Sequence, residues 1–176
     1  YLAGRRRAAL FDEPGIGKTA QAIRAAELAG CRKILVVCPA GVRQVWPGEF
    51  ALWGRRPLRV IKGKDHHDAV AWQRGRFDVL VCSYEHAVAW ADTLGADEYD
   101  ALILDEAHYI KNVDAARTKA IYGDTCDGIG GVATWARHIW ILTGTPEKND
   151  PSDLWVHLRV CGATKLSFTD FQKRYF

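Results

Sequence analysis

Short apolar runs rich in β-branched residues recur along the chain, each followed by a turn signal and then a longer mixed segment. Near-continuous apolar runs mark strands covered on both faces, since a strand with one wet face alternates apolar and polar. The rhythm of strand, turn and helix therefore predicts βαβ units around a central, mainly parallel sheet with helices on both faces, an α/β fold. Strands are predicted over Arg7 to Phe11, Lys33 to Cys38, Leu58 to Ile61, Asp78 to Cys82, Ala101 to Leu104 and His138 to Leu142. A helix is expected over Lys18 to Ala29, alanine-rich and closed by Gly30 where a C-terminal cap belongs. A second is expected over Val42 to Trp53, with Pro47-Gly48 kinking or breaking it after its first turn. Tyr122 to Gly131, rich in glycine and aspartate, reads as a flexible surface loop. A helix beginning near Pro151 and another after Ser167 are expected to continue past the sheet.

Two of the turn signals carry chemistry. Asp12-Glu13-Pro14-Gly15-Ile16-Gly17-Lys18-Thr19 follows a strand and opens a helix, the setting of a phosphate-binding loop. Gly15 and Gly17 let backbone N–H groups curl around phosphates, Lys18 reaches the terminal phosphates, and the Thr19 hydroxyl is offered to magnesium. The candidate nucleotide contacts are Glu13, Pro14, Gly15, Ile16, Gly17, Lys18, Thr19 and Ala20, although Asp12 stands where the general pattern has its first glycine. The apolar run Ala101 to Leu104 ends abruptly in Asp105-Glu106-Ala107-His108, which sets two carboxylates at the edge where open α/β sheets bind ligands. Transfer from ATP needs Mg2+ near the β and γ oxygens and a polar group to orient water; Asp105 suits the first role and Glu106 the second. His108, two residues on, suits a sensor of the nucleotide, whereas His66, His67, His86, His138 and His157 show no ligand spacing.

At 176 residues and 48% hydrophobic, the chain suffices for one well-cored domain. The balance of 24 basic against 21 acidic residues leaves +3, too mild to signal nucleic-acid binding by itself. Arg5-Arg6-Arg7, Arg55-Arg56 with Arg59, and Lys62 with Lys64 read as solvated faces. The five cysteines form no CxxC pair, so neither zinc nor a disulfide framework is expected, which suits a reducing compartment. No apolar stretch approaches a membrane span and no signal-peptide pattern opens the chain, so neither membrane insertion nor secretion is expected. Methionine is absent, even at position 1, as expected of a piece of a longer protein.

With both motifs placed, the chain resembles the superfamily-two helicase-like ATPases, and within them the Swi/Snf-type DNA translocases. DEPGIGKT resembles that family's first motif, with Pro14 and Ile16 where methionine and leucine are usual. Ile34 to Phe50 is similar to motif Ia, Val79 to Glu85 to motif Ib, and Leu142-Thr143-Gly144-Thr145-Pro146 to motif III, although Glu147 and Lys148 ahead of Asn149 depart from the usual continuation. DEAHYIKN, Asp105 to Asn112, is the most telling, because Lys111-Asn112 follows the acidic box as in the Swi/Snf type.

The resemblance implies a RecA-like P-loop NTPase lobe, the N-terminal one of two, with residues from about 151 to 176 leading toward the second. It implies ATP and Mg2+ as cofactors, and coupling through His108, Thr143, Gly144 and Thr145. It also implies sequence-independent contacts to the backbone of double-stranded DNA from Pro39, Ala40, Gly41 and Arg43 in motif Ia and from Ser83 and Tyr84 in motif Ib. Trp46, Phe50 and Trp53 are expected in the core beneath a helix rather than stacked on bases. The family's second lobe supplies arginines worth roughly 10³ to 10⁵ in rate, so a lone lobe should bind ATP–Mg weakly and hardly turn it over. Nothing in Tyr1 to Leu10 matches the adenine-contacting glutamine motif. A strand-separating or restriction-type helicase, a nucleotide-sensing module without turnover, and another P-loop ATPase or kinase stay open as alternatives. So does the compartment: cytoplasm for a bacterial or phage protein, nucleus for a eukaryotic one.

Overall fold

A computed structural model describes residues 1–145 and 153–175. In chain order the elements are β1 (Arg7–Leu10), α1 (Lys18–Leu28), β2 (Ile34–Cys38), α2 (Trp46–Trp53), β3 (Val60–Lys62), α3 (His66–Gln73), β4 (Val79–Ser83), α4 (Tyr84–Ala89), α5 (Ala91–Leu94), β5 (Tyr99–Asp105), α6 (Ala116–Tyr122), β6 (Ala136–Leu142), α7 (Leu154–Val160) and α8 (Phe168–Tyr175). Short 3-10 turns cover Leu2–Gly4, Ala107–Ile110 and Val132–Trp135. The strands form one sheet in the order β1-β6-β5-β2-β4-β3, every pair parallel. All six predicted strands are present, within a few residues of the expected bounds.

Alternation along the central strands divides the interior into two cores. Ile34, Val36, Val81 and Ile103 face α1 and α2, while Leu35, Val37, Leu80 and Leu102 face the opposite layer, and all eight are fully buried. Each such side chain contributes about 1.5–3 kcal/mol on burial, which is why both faces of these strands are apolar. Parallel pairing puts every strand's carboxyl end on one edge. The turns after β1, β6 and β5 therefore lie side by side there, with those after β2 and β4 next in line.

The chain departs from the expected elements in three places. α2 begins at Trp46 rather than Val42, and residues Val42 to Val45 form tight turns back to Pro39 and Val42. Pro47 occupies the first helical turn, where its missing N–H leaves no bond unmade, so it starts the helix instead of kinking it. The segment from Tyr122 to Gly131 is pinned rather than loose. Cys126 is buried, Gly128 N–H bonds to the Tyr122 carbonyl at 3.0 Å, and the Arg7 guanidinium donates to the Asp127 and Val160 carbonyls at 2.6 and 3.1 Å. Finally, α7 and α8 lay Trp155, Val156, Val160 and Phe171 onto the core instead of running past the sheet. Pro146, Glu147, Lys148, Asn149 and the expected helix start at Pro151 lie outside the described residues.

Helix α1 closes as expected: Gly30, at φ +75°, donates to the Glu27 carbonyl and Cys31 to that of Ala26, the paired bonds of a Schellman cap. All five cysteines are free, and among the described residues no group of three metal-ligating side chains forms and no helix is long and apolar enough to cross a membrane. The basic clusters lie at the surface, with Arg5, Arg6, Arg7, Arg55 and Arg59 exposed, but some are also bonded there: Arg7 clasps the loop described above, Arg56 donates to the Cys31 carbonyl, and Arg59 pairs with Asp78.

Candidate active site

The turn from β1 to α1 and the end of β5 meet at one cleft of about 410 Å³, lined by Pro14, Gly15, Gly17, Lys18, Thr19 and Ala20 on one side and Asp105 and Glu106 on another. Gly15 and Gly17 hold φ of +84° and +83°, a backbone region that costs other residues strain, and the space beside each is open. The Lys18 side chain folds back over the loop, its ammonium donating to the carbonyls of Asp12 at 2.7 Å and Glu13 at 2.9 Å. A phosphate arriving in the cradle offers stronger, charged acceptors for the same donors. Ile16 and Glu13 point outward, so of the expected nucleotide contacts these two do not line the cleft.

Asp105 is 8% exposed. Its Oδ1 accepts from the Glu106 backbone N–H at 3.0 Å and its Oδ2 from the Trp46 indole N–H at 3.2 Å. Burial pushes its carboxyl up to about 6, the Glu106 charge adding, while the Trp46 and Glu106 bonds and Lys18 pull it back. A buried carboxylate that forms no ion pair among the described residues, sharing the cleft with Thr19 at the mouth of a phosphate cradle, suits an oxygen-seeking divalent ion such as Mg2+.

Glu106 adopts the left-handed conformation, φ +50° and ψ +49°, uncommon for a non-glycine residue and a frequent mark of functional turns. Its carboxylate lies 3.2 Å from His108 Nδ1, and the same nitrogen lies 3.4 Å from the hydroxyls of both Thr143 and Thr145. One nitrogen cannot serve all three at once. Protonated, it donates to Glu106; bare, it accepts from a threonine. Gly144 explains the small residue between those threonines, since an added Cβ would fall 2.9 Å from both Cγ and Cδ of Pro14. The turn after β6 thus presses directly on the phosphate loop. Lys111 pairs with Asp153 at the start of α7, and the Asn112 side chain accepts from Asp114 N–H at 2.9 Å, so both residues after the acidic box shape its exit.

The residues expected to meet DNA divide. Pro39, Ala40 and Gly41 form the partly or fully exposed turn after β2. Arg43 instead spans two loops, donating to the carbonyls of Gly63 and Ala40 and lying 3.3 Å from His86 Nδ1. Ser83 is buried and caps α4 by accepting from His86 N–H at 3.2 Å. Tyr84 is 1% exposed, and its hydroxyl donates to the Asp105 carbonyl at 2.8 Å. The side-chain polar atoms of Ser83 and Tyr84 are thus hydrogen-bonded inside the lobe. Trp46 and Phe50 are core residues as expected, but Trp53 is 44% exposed, donates to Glu49 and lines the cleft. The bond from Trp46 to Asp105 is not among the sequence expectations, although a buried indole N–H usually finds an acceptor.

A parallel sheet carrying a phosphate loop after one strand and an acidic pair after a strand two places away defines a P-loop nucleotide-binding domain of RecA-like build. The SNF2-related domain profile matches residues 4–175. The chain belongs to that family. It is 30% identical over 187 residues to the DNA repair and recombination protein RAD54B of Gallus gallus, covering 99% of this chain and 19% of that protein. It is 31% identical over 184 residues to the chromatin-remodeling ATPase INO80 of Emericella nidulans, covering 95% and 11%. The Sulfolobus solfataricus SWI2/SNF2 ATPase core, solved in complex with dsDNA, superposes with a TM-score of 0.74 at 25% identity, over 95% of this chain and 34% of that one. The chain thus spans about a fifth of the length of the first of these relatives.

Proposed function

We propose that this domain is the first ATP-binding lobe of a DNA-dependent ATPase that translocates on double-stranded DNA. The observation that carries the reading is the single cleft shared by Lys18, Asp105 and Glu106 in a chain of the SNF2-related family. Lys18 exchanges its loop carbonyls for the terminal phosphates of ATP. Thr19 and Asp105 would hold Mg2+, which would neutralise charge on the phosphates of ATP. Glu106 orients water, its left-handed backbone aiming the carboxylate into the cleft beside His108. His108 chooses between Glu106 and the threonines of the turn after β6, which ties the water-orienting group to Thr143, Gly144 and Thr145.

DNA meets the same sheet edge at the turn formed by Pro39, Ala40 and Gly41, through main-chain groups that position without reading sequence. The SWI2/SNF2 core solved with dsDNA supports this partner. A second RecA-like lobe in the full-length chain supplies the arginines that complete the site. The working compartment is whichever one holds the DNA.

Hydrolysis by the full-length protein, measured with and without double-stranded DNA, tests the proposal. Stimulation by duplex without displacement of a strand is the expected result. Strand displacement would make the protein a separating helicase, and nucleotide binding without turnover would make it a sensor module.

A further inference from the structure

We infer that Trp46 and Tyr84 are positioning residues that make the placement of Asp105 depend on the two loops after β2 and β4. The inference rests on the functional reading above and adds to it the route by which DNA reaches the metal carboxylate.

The two contacts come from opposite sides of the sheet. Trp46 belongs to the core beneath α1 and α2, and Tyr84 to the core on the other face. The indole N–H holds the Asp105 side chain at Oδ2, 3.2 Å away, while the phenol holds the Asp105 carbonyl at 2.8 Å. The peptide group joining Asp105 to Glu106 is fixed at both ends, since its carbonyl accepts from Tyr84 and its N–H donates to Asp105 Oδ1. That peptide leads into the left-handed Glu106, so turning it would swing the water-orienting carboxylate away from His108.

Neither aromatic can touch DNA itself, both being 1% exposed. Each instead opens a helix that follows a strand end at the proposed DNA edge. Tyr84 is the first residue of α4, directly after β4, and Trp46 the first of α2, five residues beyond the exposed Gly41. The Tyr84 ring is held in turn by Tyr109, stacked at 5.8 Å and 4°, and the Arg117 guanidinium lies 5.9 Å from the Tyr109 ring. A loop shift caused by a bound phosphate backbone is therefore carried by packed rings to the carboxylate, since close-packed interiors transmit displacement.

The test uses the full-length protein with Tyr84→Phe and Trp46→Phe, each removing one hydrogen-bond donor and keeping an aromatic ring. Turnover at saturating duplex DNA should fall about tenfold in Tyr84→Phe, the scale set by one positioning hydrogen bond. The dissociation constants for duplex and for a fluorescent ADP analogue should stay within about twofold. Trp46→Phe should give the same split, and it stands as the second arm should Tyr84→Phe fold poorly. Unchanged turnover in both variants overturns the inference. So does a loss of DNA affinity that accounts for the lost rate, or a lost rate that returns on cooling as the fold recovers. Absence of DNA-stimulated hydrolysis in the unaltered protein removes the functional reading instead, and is seen before any variant is made.

Discussion

His157, on α7, is fully buried, with the Phe11 ring 6.1 Å away and no hydrogen-bond partner for either ring nitrogen among the described residues. Burial penalises its imidazolium, with Asp153 opposing and His108 adding, and its pKa falls from 6.5 to about 4. Between those values the unfolded chain binds more protons, so this histidine removes stability as pH drops. The whole gap is worth roughly 3 kcal/mol at 1.36 per decade, and about 2 kcal/mol of it is lost between pH 7 and 5. Asp105 works the other way. Its folded carboxyl, pushed up to about 6 from 3.8, binds protons that the unfolded chain does not, which returns about 1 kcal/mol over the same interval. The two nearly cancel, so single substitutions should expose them. Urea unfolding of the chain, followed by tryptophan fluorescence at pH 7 and 5, should show His157→Leu gaining about 1 kcal/mol on acidification and Asp105→Asn losing about 2 kcal/mol. A His157→Leu variant whose pH slope matches the unaltered chain would show that His157 is not a buried neutral base.

Gly144→Ala forces a Cβ against Pro14, so it should cost roughly 1–3 kcal/mol of stability and weaken ADP binding. Adding Pro14→Ala, which removes the Cγ and Cδ atoms met by that Cβ, should restore most of both, as read by thermal melting and nucleotide titration. Glu106→Gln in the full-length protein should keep ATP affinity yet stall turnover in a phosphate-release assay; lost binding would reverse the two carboxylate roles. Lys111→Ala breaks the pair with Asp153, whose side chains are 20% and 17% exposed, and should lower unfolding stability by roughly 1–3 kcal/mol, between the surface and buried limits.

What the sequence revealed follows the range over which each feature is determined. Strands such as Ile34–Cys38 were legible because burial on both faces demands an unbroken apolar run. The phosphate loop was legible because its glycines, Lys18 and Thr19 must sit within a few residues of one another. The start of α2 was misread because Val42 and Val45 suit helix and turn alike, and only the backbone bonds to Pro39 and Val42 decide. Glycine and aspartate in 122–131 are common to loose loops and to tight ones. Here Gly123, Gly128 and Gly130 take positive φ, and a Cβ on Gly123 would lie 1.8 Å from the Ile129 carbonyl oxygen. The partners of Trp46 and Tyr84 depend on β2 and β4 following β5 in the sheet, an order no local pattern encodes.

The grip of Lys18 and Asp105 on one nucleotide can be measured by titrating ADP, with and without Mg2+, into the unaltered chain, Lys18→Ala, Asp105→Asn and the double variant. Magnesium should tighten binding to the unaltered chain and not to Asp105→Asn. Lys18→Ala should lose binding in either condition, and the double variant should be no worse. Undiminished affinity in Lys18→Ala, or magnesium tightening Asp105→Asn as much as the unaltered chain, would put the two ends of the cleft on separate ligands and leave no ATP site for a motor to use.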